Sequence, residues 1–197
     1  MLNRVILATR NKNKIEEMRA ILAPLGIELV SALDIPDLVD VVEDQDTLEG
    51  NALKKARYVN KVTGIPALSD DTGLEVEALD GAPGVYSARY AGEDATYNDN
   101  VMKLLGALSD EKNRSAQFRT VIALVDDDKE YTFDGICEGD ITLDKRGENG
   151  FGYDPVFQPT GYEKTFAELD AAIKNNISHR GRAVQAFIEF LKDAELD

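Results

Sequence analysis

The chain has 197 residues, of which 43% are hydrophobic and 30% charged, with a formal net charge of −15, one cysteine and one histidine. A chain of this size buries roughly 70% of its unfolded surface, and its ordinary globular composition excludes disorder and a long coiled coil. The acidity excludes a passive nucleic-acid-binding surface, which needs clustered Lys and Arg, and Cys137 with His179 cannot make a disulfide or a Cys/His zinc site, so any metal must be held by oxygens.

Residues 4–9 form a short apolar run typical of a buried first strand rather than a signal peptide, and no apolar run is long enough to span a bilayer. A soluble, cytoplasmic chain is expected. A polar loop from Arg10 leads into a helix, with Asn13 and Glu16 as a capping box, Ile15, Met18, Leu22 and Leu25 on one apolar face, and Gly26 ending it. Residues 27–31 read as a second strand and 34–46 as an acidic loop. Thr47 caps a second helix that Gly64 terminates, with Leu48, Ala52, Ala56, Val59 and Val62 facing the core. Residues 67–76 read as a strand that runs into Asp70, Asp71, Thr72 and Gly73 and then resumes.

A compact turn at 80–84 precedes a helix around 98–108. Two strands, near 117–125 and 130–138, flank a polar tip and read as a hairpin. Glycines punctuate 147–152 as a loop or strand edge, and a helix from about Arg180 carries Ala183, Phe187, Phe190 and Leu191 on one face. No repeat or linker divides the chain, so residues 1–197 are expected to form a single α/β domain containing parallel and antiparallel pairs.

Five segments could carry chemistry. Thr9, Arg10, Asn11, Lys12, Asn13 and Lys14 place a hydroxyl, two amides and three cations at a helix N-terminus, which suits a polyphosphate or makes an ordinary polar connection. Asn51 and Lys55 share a helix face, aimed at one ligand or solvated. Asp70 and Asp71, with Glu43 from the acidic loop, suit Mg²⁺, although a turn in which the Asp side chains accept backbone N–H bonds accounts for the pair equally well. Among the glycines of 147–155, Phe151 and Tyr153 offer stacking faces, Gly152 allows close backbone approach and Asp154 can accept a base N–H, unless the aromatics are simply core. Lys174, His179 and Arg180 gather donors ahead of the last helix, where Ser178 could be a plain N-cap.

Taken together, Leu7-Ala-Thr-x-Asn-x-x-Lys14, Asn51-Ala-x-x-Lys-Ala56, Asp70-Asp-Thr-Gly-Leu74, Gly81-Ala-Pro-Gly-Val-Tyr-Ser-Ala-Arg-Tyr90, Gly150-Phe-Gly-Tyr-Asp-Pro155 and Ile177-Ser-His-Arg180 resemble the inosine/xanthosine triphosphate pyrophosphatase family over nearly the whole chain. The resemblance implies a mixed central sheet flanked by helices, two lobes with an active-site cleft between them, and a homodimeric, Mg²⁺-dependent hydrolase. Its reaction would convert non-standard purine triphosphates to monophosphate and pyrophosphate, with no nucleic-acid or membrane partner. By position, Thr9 to Lys14 and Lys55 would hold the triphosphate, and Asp71 would accept the proton and bind the metal, with Asp70 and Glu43 sharing the cation. Thr72 would touch substrate, and Phe151, Gly152, Tyr153, Asp154, Lys174, His179 and Arg180 would bind the base. Arg10 stands where the family often has Gly, and Thr72 where Ser is commoner. The rival expectations are a Maf-type pyrophosphatase acting on pyrimidine or modified nucleotides, and a nucleotide sensor without turnover.

Overall fold

The computed structural model describes residues 2–36 and 38–194. In chain order it contains β1 (Arg4–Leu7), α1 (Lys12–Leu22), β2 (Glu28–Ser31), α2 (Leu48–Thr63), β3 (Ala67–Val76), β4 (Pro83–Gly84), α3 (Tyr97–Ala107), β5 (Ser115–Asp126), β6 (Lys129–Ile141), β7 (Phe157–Pro159), α4 (Ala171–Ile177) and α5 (His179–Ala194). The strands hydrogen-bond in the order β2-β1-β3-β5-β6-β7, with β4 on β3. Strand β1 runs parallel to β2 and β3, whereas β4 on β3 and β7 on β6 are antiparallel. A two-residue connection joins β5 to β6, as antiparallel neighbours allow, and Asp127 there takes a left-handed φ of 51°. The mixed sheet flanked by helices is the α/β class expected.

The chain forms two compact units, the first from 1–71, 120–135 and 180–197, the second from 72–119 and 136–179. In the first, Val5, Leu7 and Leu68 of the strands pack with Ile15, Met18 and Leu22 of α1 and with Ala183, Val184 and Phe187 of α5. In the second, Leu74, Phe118, Phe157, Phe166 and Cys137 pack with Val101, Leu104 and Leu108. The apolar periodicity of each helix fixes which face enters its core.

Several element ends differ from expectation. Helix α1 begins two residues earlier, because Asn11 rather than Asn13 is the cap: its Oδ1 accepts from the amides of Asn13 at 3.1 Å and Lys14 at 3.3 Å. Helix α2 has the predicted caps, Thr47 accepting from the Gly50 amide at 3.0 Å and Gly64 left-handed at φ 65°, but Val62 is 55% exposed and off the core face. Strand β3 is continuous through both aspartates, and the hairpin strands extend beyond the predicted ends. Helix α4 was not expected.

Candidate active site

The first unit places most of the predicted polyphosphate and metal residues together. Strand β3 carries Asp70, with 0% exposure, and Asp71, with 6%, into the interior, a placement that costs several kcal/mol per charge unless cations are present. Three cations meet them. Lys14 Nζ lies 3.2 Å from Asp70 Oδ2. Arg180, at the start of α5, donates through Nε and Nη2 to the same oxygen at 3.1 and 2.9 Å, and through Nη1 to Glu17. Lys55 donates to the Asp70 carbonyl at 2.7 Å and to Glu43 Oε1 at 2.5 Å, and stands 3.7 Å from Asp71 Oδ1.

These distances give the acids different chemistry. Burial works against the charge on Asp70, but Lys14, Arg180 and Lys55 overcome it and hold its carboxyl well below the usual carboxylate range. Asp71 goes the other way. Burial raises its pKa, and with Glu43 and Asp70 as negative neighbours it stays raised despite Lys55 and Lys14. Glu43 is lowered, because against burial it holds Lys55 at hydrogen-bond distance. Burial likewise opposes the charge of Lys55, yet Asp71, Glu43 and Asp70 raise its pKa. The result is one firmly ionised buried carboxylate next to one that binds a proton readily, the pairing of environments found where proton transfer is needed.

The loop before α1 is partly committed. Thr9 Oγ1 accepts from the Asn11 amide at 3.2 Å. Arg10 is tied to the acidic loop, donating to the Leu38 carbonyl and lying 3.2 Å from Asp40 Oδ1. Lys12 is exposed, Asn13 and Lys14 are half-buried, and the first turn of α1 contains no acid to oppose an anion. Asn51 does not share a ligand-facing role with Lys55. It is fully buried and accepts from the Gln45 amide at 3.0 Å, which anchors the segment bearing Glu43, while its Nδ2 has no hydrogen-bond partner among the described residues.

The second unit holds the predicted base-binding residues other than Arg180, which belongs to the first unit and engages Asp70 and Glu17. Asp154 Oδ2 accepts from the Phe151 amide at 2.8 Å and from Lys174 Nζ at 2.6 Å, and the Lys174 ammonium lies 5.1 Å from the Phe151 ring centroid and 5.7 Å from that of Phe166. Gly150 is obligatory: its φ is +74°, and a Cβ there would stand 2.1 Å from Asp154 Oδ2. Gly152 is also left-handed, at φ 60°. Tyr153 is buried, as is His179, whose imidazole stacks on Phe118 at 4.4 Å and 16°. Thr72 is half-buried on β3. Among the described residues no group of three His, Cys, Asp or Glu side chains is arranged to hold a metal by itself.

Sequence reasoning missed Glu17, Ser87, Phe118 and Phe166, all of which touch the predicted residues. Glu17 is 163 residues from Arg180, and no local pattern announces such a pair.

The sequence model of the Ham1 family matches residues 5–190. A dITP/XTP pyrophosphatase of Flavobacterium johnsoniae is 54% identical over 95% of this chain and 97% of its own. One from Porphyromonas gingivalis is 51% identical over 96% and 98%. The structure of a HAM1 protein from Coxiella burnetii superimposes with a TM-score of 0.89 at 42% identity, covering 98% of this chain and all of that one. The Ham1 protein of Staphylococcus aureus gives a TM-score of 0.87 at 38% identity, over 97% of this chain and 99% of that one. The chain belongs to the Ham1 family.

Proposed function

We propose that the protein is an Mg²⁺-dependent nucleoside triphosphate pyrophosphatase that hydrolyses inosine, deoxyinosine and xanthosine triphosphates to the monophosphate and pyrophosphate, keeping them out of DNA and RNA. The observation that carries this reading is the buried Asp70–Asp71 pair with three cations, Lys14, Lys55 and Arg180, gathered on it. The names borne by relatives 51–54% identical over nearly the whole chain support it. We place its action in the cytoplasm and its working state as a homodimer.

The donor set fits Mg²⁺. This ion is usually held by one or two carboxylates, with substrate phosphates and water completing the shell, and Asp71 and Glu43 supply that number without needing a third protein ligand. When bound, the ion would neutralise phosphate charge and polarise the scissile anhydride. Asp70 would be a weaker ligand, because Lys14 and Arg180 already engage its Oδ2.

Lys14 and the Thr9–Lys14 loop take the triphosphate and stabilise the departing pyrophosphate. The Asp71 carboxylate takes the proton from the attacking water. Lys55 keeps Glu43 and Asp71 from repelling each other apart, and Arg180 anchors Asp70. In the second unit Phe151 offers a face to the purine, and Lys174 or a turn amide donates to its 6-oxo group. Adenine presents a donor there instead, and such a polar mismatch in a buried site discriminates by about 10⁴-fold.

A substrate panel tests the reading. Inosine triphosphate with Mg²⁺ should give pyrophosphate rather than orthophosphate, with label from H₂¹⁸O in the monophosphate, as attack at the α phosphorus requires. Turnover of thymidine or uridine triphosphate in preference, or no turnover of any, would overturn it.

A further inference from the structure

The segment from Gly81 to Tyr90 has no role in the chemistry above, yet it holds a residue at the crossing of three hydrogen bonds. Ser87, in a single helical turn between β4 and α3, is buried. Its Oγ accepts from the Leu74 amide at 2.8 Å and donates to the Gly84 carbonyl at 2.6 Å, and its carbonyl accepts the Tyr153 hydroxyl at 2.8 Å. Leu74 lies opposite Gly84 in the β3–β4 pairing, and a Cβ on Gly73 would meet the Gly84 carbonyl at 2.7 Å, so backbone packs on backbone there. Tyr153 is 4% exposed, with its ring among Leu74, Phe157 and the rest of the second core. A hydroxyl so placed offers nothing to a nucleotide. What it does is fix the turn whose next residue, Asp154, grips the Phe151 amide and Lys174. Gly150 before that turn and Gly152 within it are both left-handed, so the Tyr153 hydroxyl ties to β4–α3 a segment whose glycines allow it more than one path.

We propose that Ser87 and Tyr153 are positioning residues, a clamp that sets the Phe151–Asp154 turn relative to the Thr72–Leu74 stretch of β3 and thereby sets purine selectivity without touching the purine. This rests on the reading of Phe151, Asp154 and Lys174 as the base-binding group. Removing the Tyr153 hydroxyl leaves a buried carbonyl without its donor, and the turn can shift to satisfy it. A displacement of about 1 Å in a positioning element costs on the order of 10²-fold in rate.

The test compares Tyr153→Phe, Ser87→Ala and Phe151→Leu by kcat and KM on inosine and guanosine triphosphates, with the thermal midpoint of each. Tyr153→Phe keeps the ring and its packing. It should fold, and its preference for inosine over guanosine triphosphate, as a ratio of kcat/KM, should fall about tenfold, the size of one buried hydrogen bond. Ser87→Ala should move the preference in the same direction, and Phe151→Leu should raise the KM for inosine triphosphate. If Phe151→Leu leaves that KM unchanged, the base-binding reading and the clamp both fall. If Phe151→Leu raises it while Tyr153→Phe lowers only the thermal midpoint and leaves the preference intact, the clamp alone is overturned.

Discussion

Asp70 and Asp71 are adjacent in the chain and opposite in behaviour, because strand geometry sends successive side chains to opposite faces. Asp70 meets Lys14 and Arg180, whereas Asp71 meets Lys55 at longer range with Glu43 beside it. Breaking the Asp70 network removes the buried carboxylate that pairs with both Lys14 and Arg180 and leaves Arg180 with Glu17, so Asp70→Asn should cost about 3–5 kcal/mol in urea titrations. The pH dependence follows from the direction of the shift. With the folded pKa lowered, the unfolded chain takes up the proton first as pH falls, so this stabilisation is complete above about pH 4 and is lost as pH falls through the folded pKa. Stability should therefore drop on acidification in the wild type and drop less steeply in Asp70→Asn, and equal slopes would contradict the pairing.

At the scale of elements, what could be read from sequence was local. Helix α2 was legible because its cap Thr47, its apolar stripe and its terminal Gly64 all lie within eighteen residues of one another. The start of α1 was misplaced because Asn11 and Asn13 are both competent caps, and only the backbone selects the one whose oxygen reaches two amides. Strand β3 read as interrupted because two carboxylates oppose the usual apolar pattern, and its continuity depends on cations from α1, α2 and α5. Thr47→Ala tests the local part: it should destabilise by about 1 kcal/mol, which lowers the thermal midpoint by about 2–4 °C for a chain of this size, while kcat is unchanged.

Taken as a whole, a molecule with net charge −15 repels its proposed substrate, and the cations proposed to receive the triphosphate are few and mostly paired with acids. The site's residue types were legible in the sequence, since hydroxyl, lysine and paired carboxylates in that order point to phosphate and metal. Their pairing was not, because Glu17 with Arg180 and Ser87 with Tyr153 are long-range contacts that only the folded sheet brings about. The proposed homodimer should sediment at twice the monomer mass at micromolar concentration, and a monomer under turnover conditions would remove that part of the proposal.

The role of Asp71 as the base is tested most directly by the turnover of Asp71→Asn on inosine triphosphate with Mg²⁺, measured alongside its thermal midpoint. A loss of about 10²–10⁴-fold in kcat is expected, with the fold intact. Full turnover by a folded Asp71→Asn protein would contradict it.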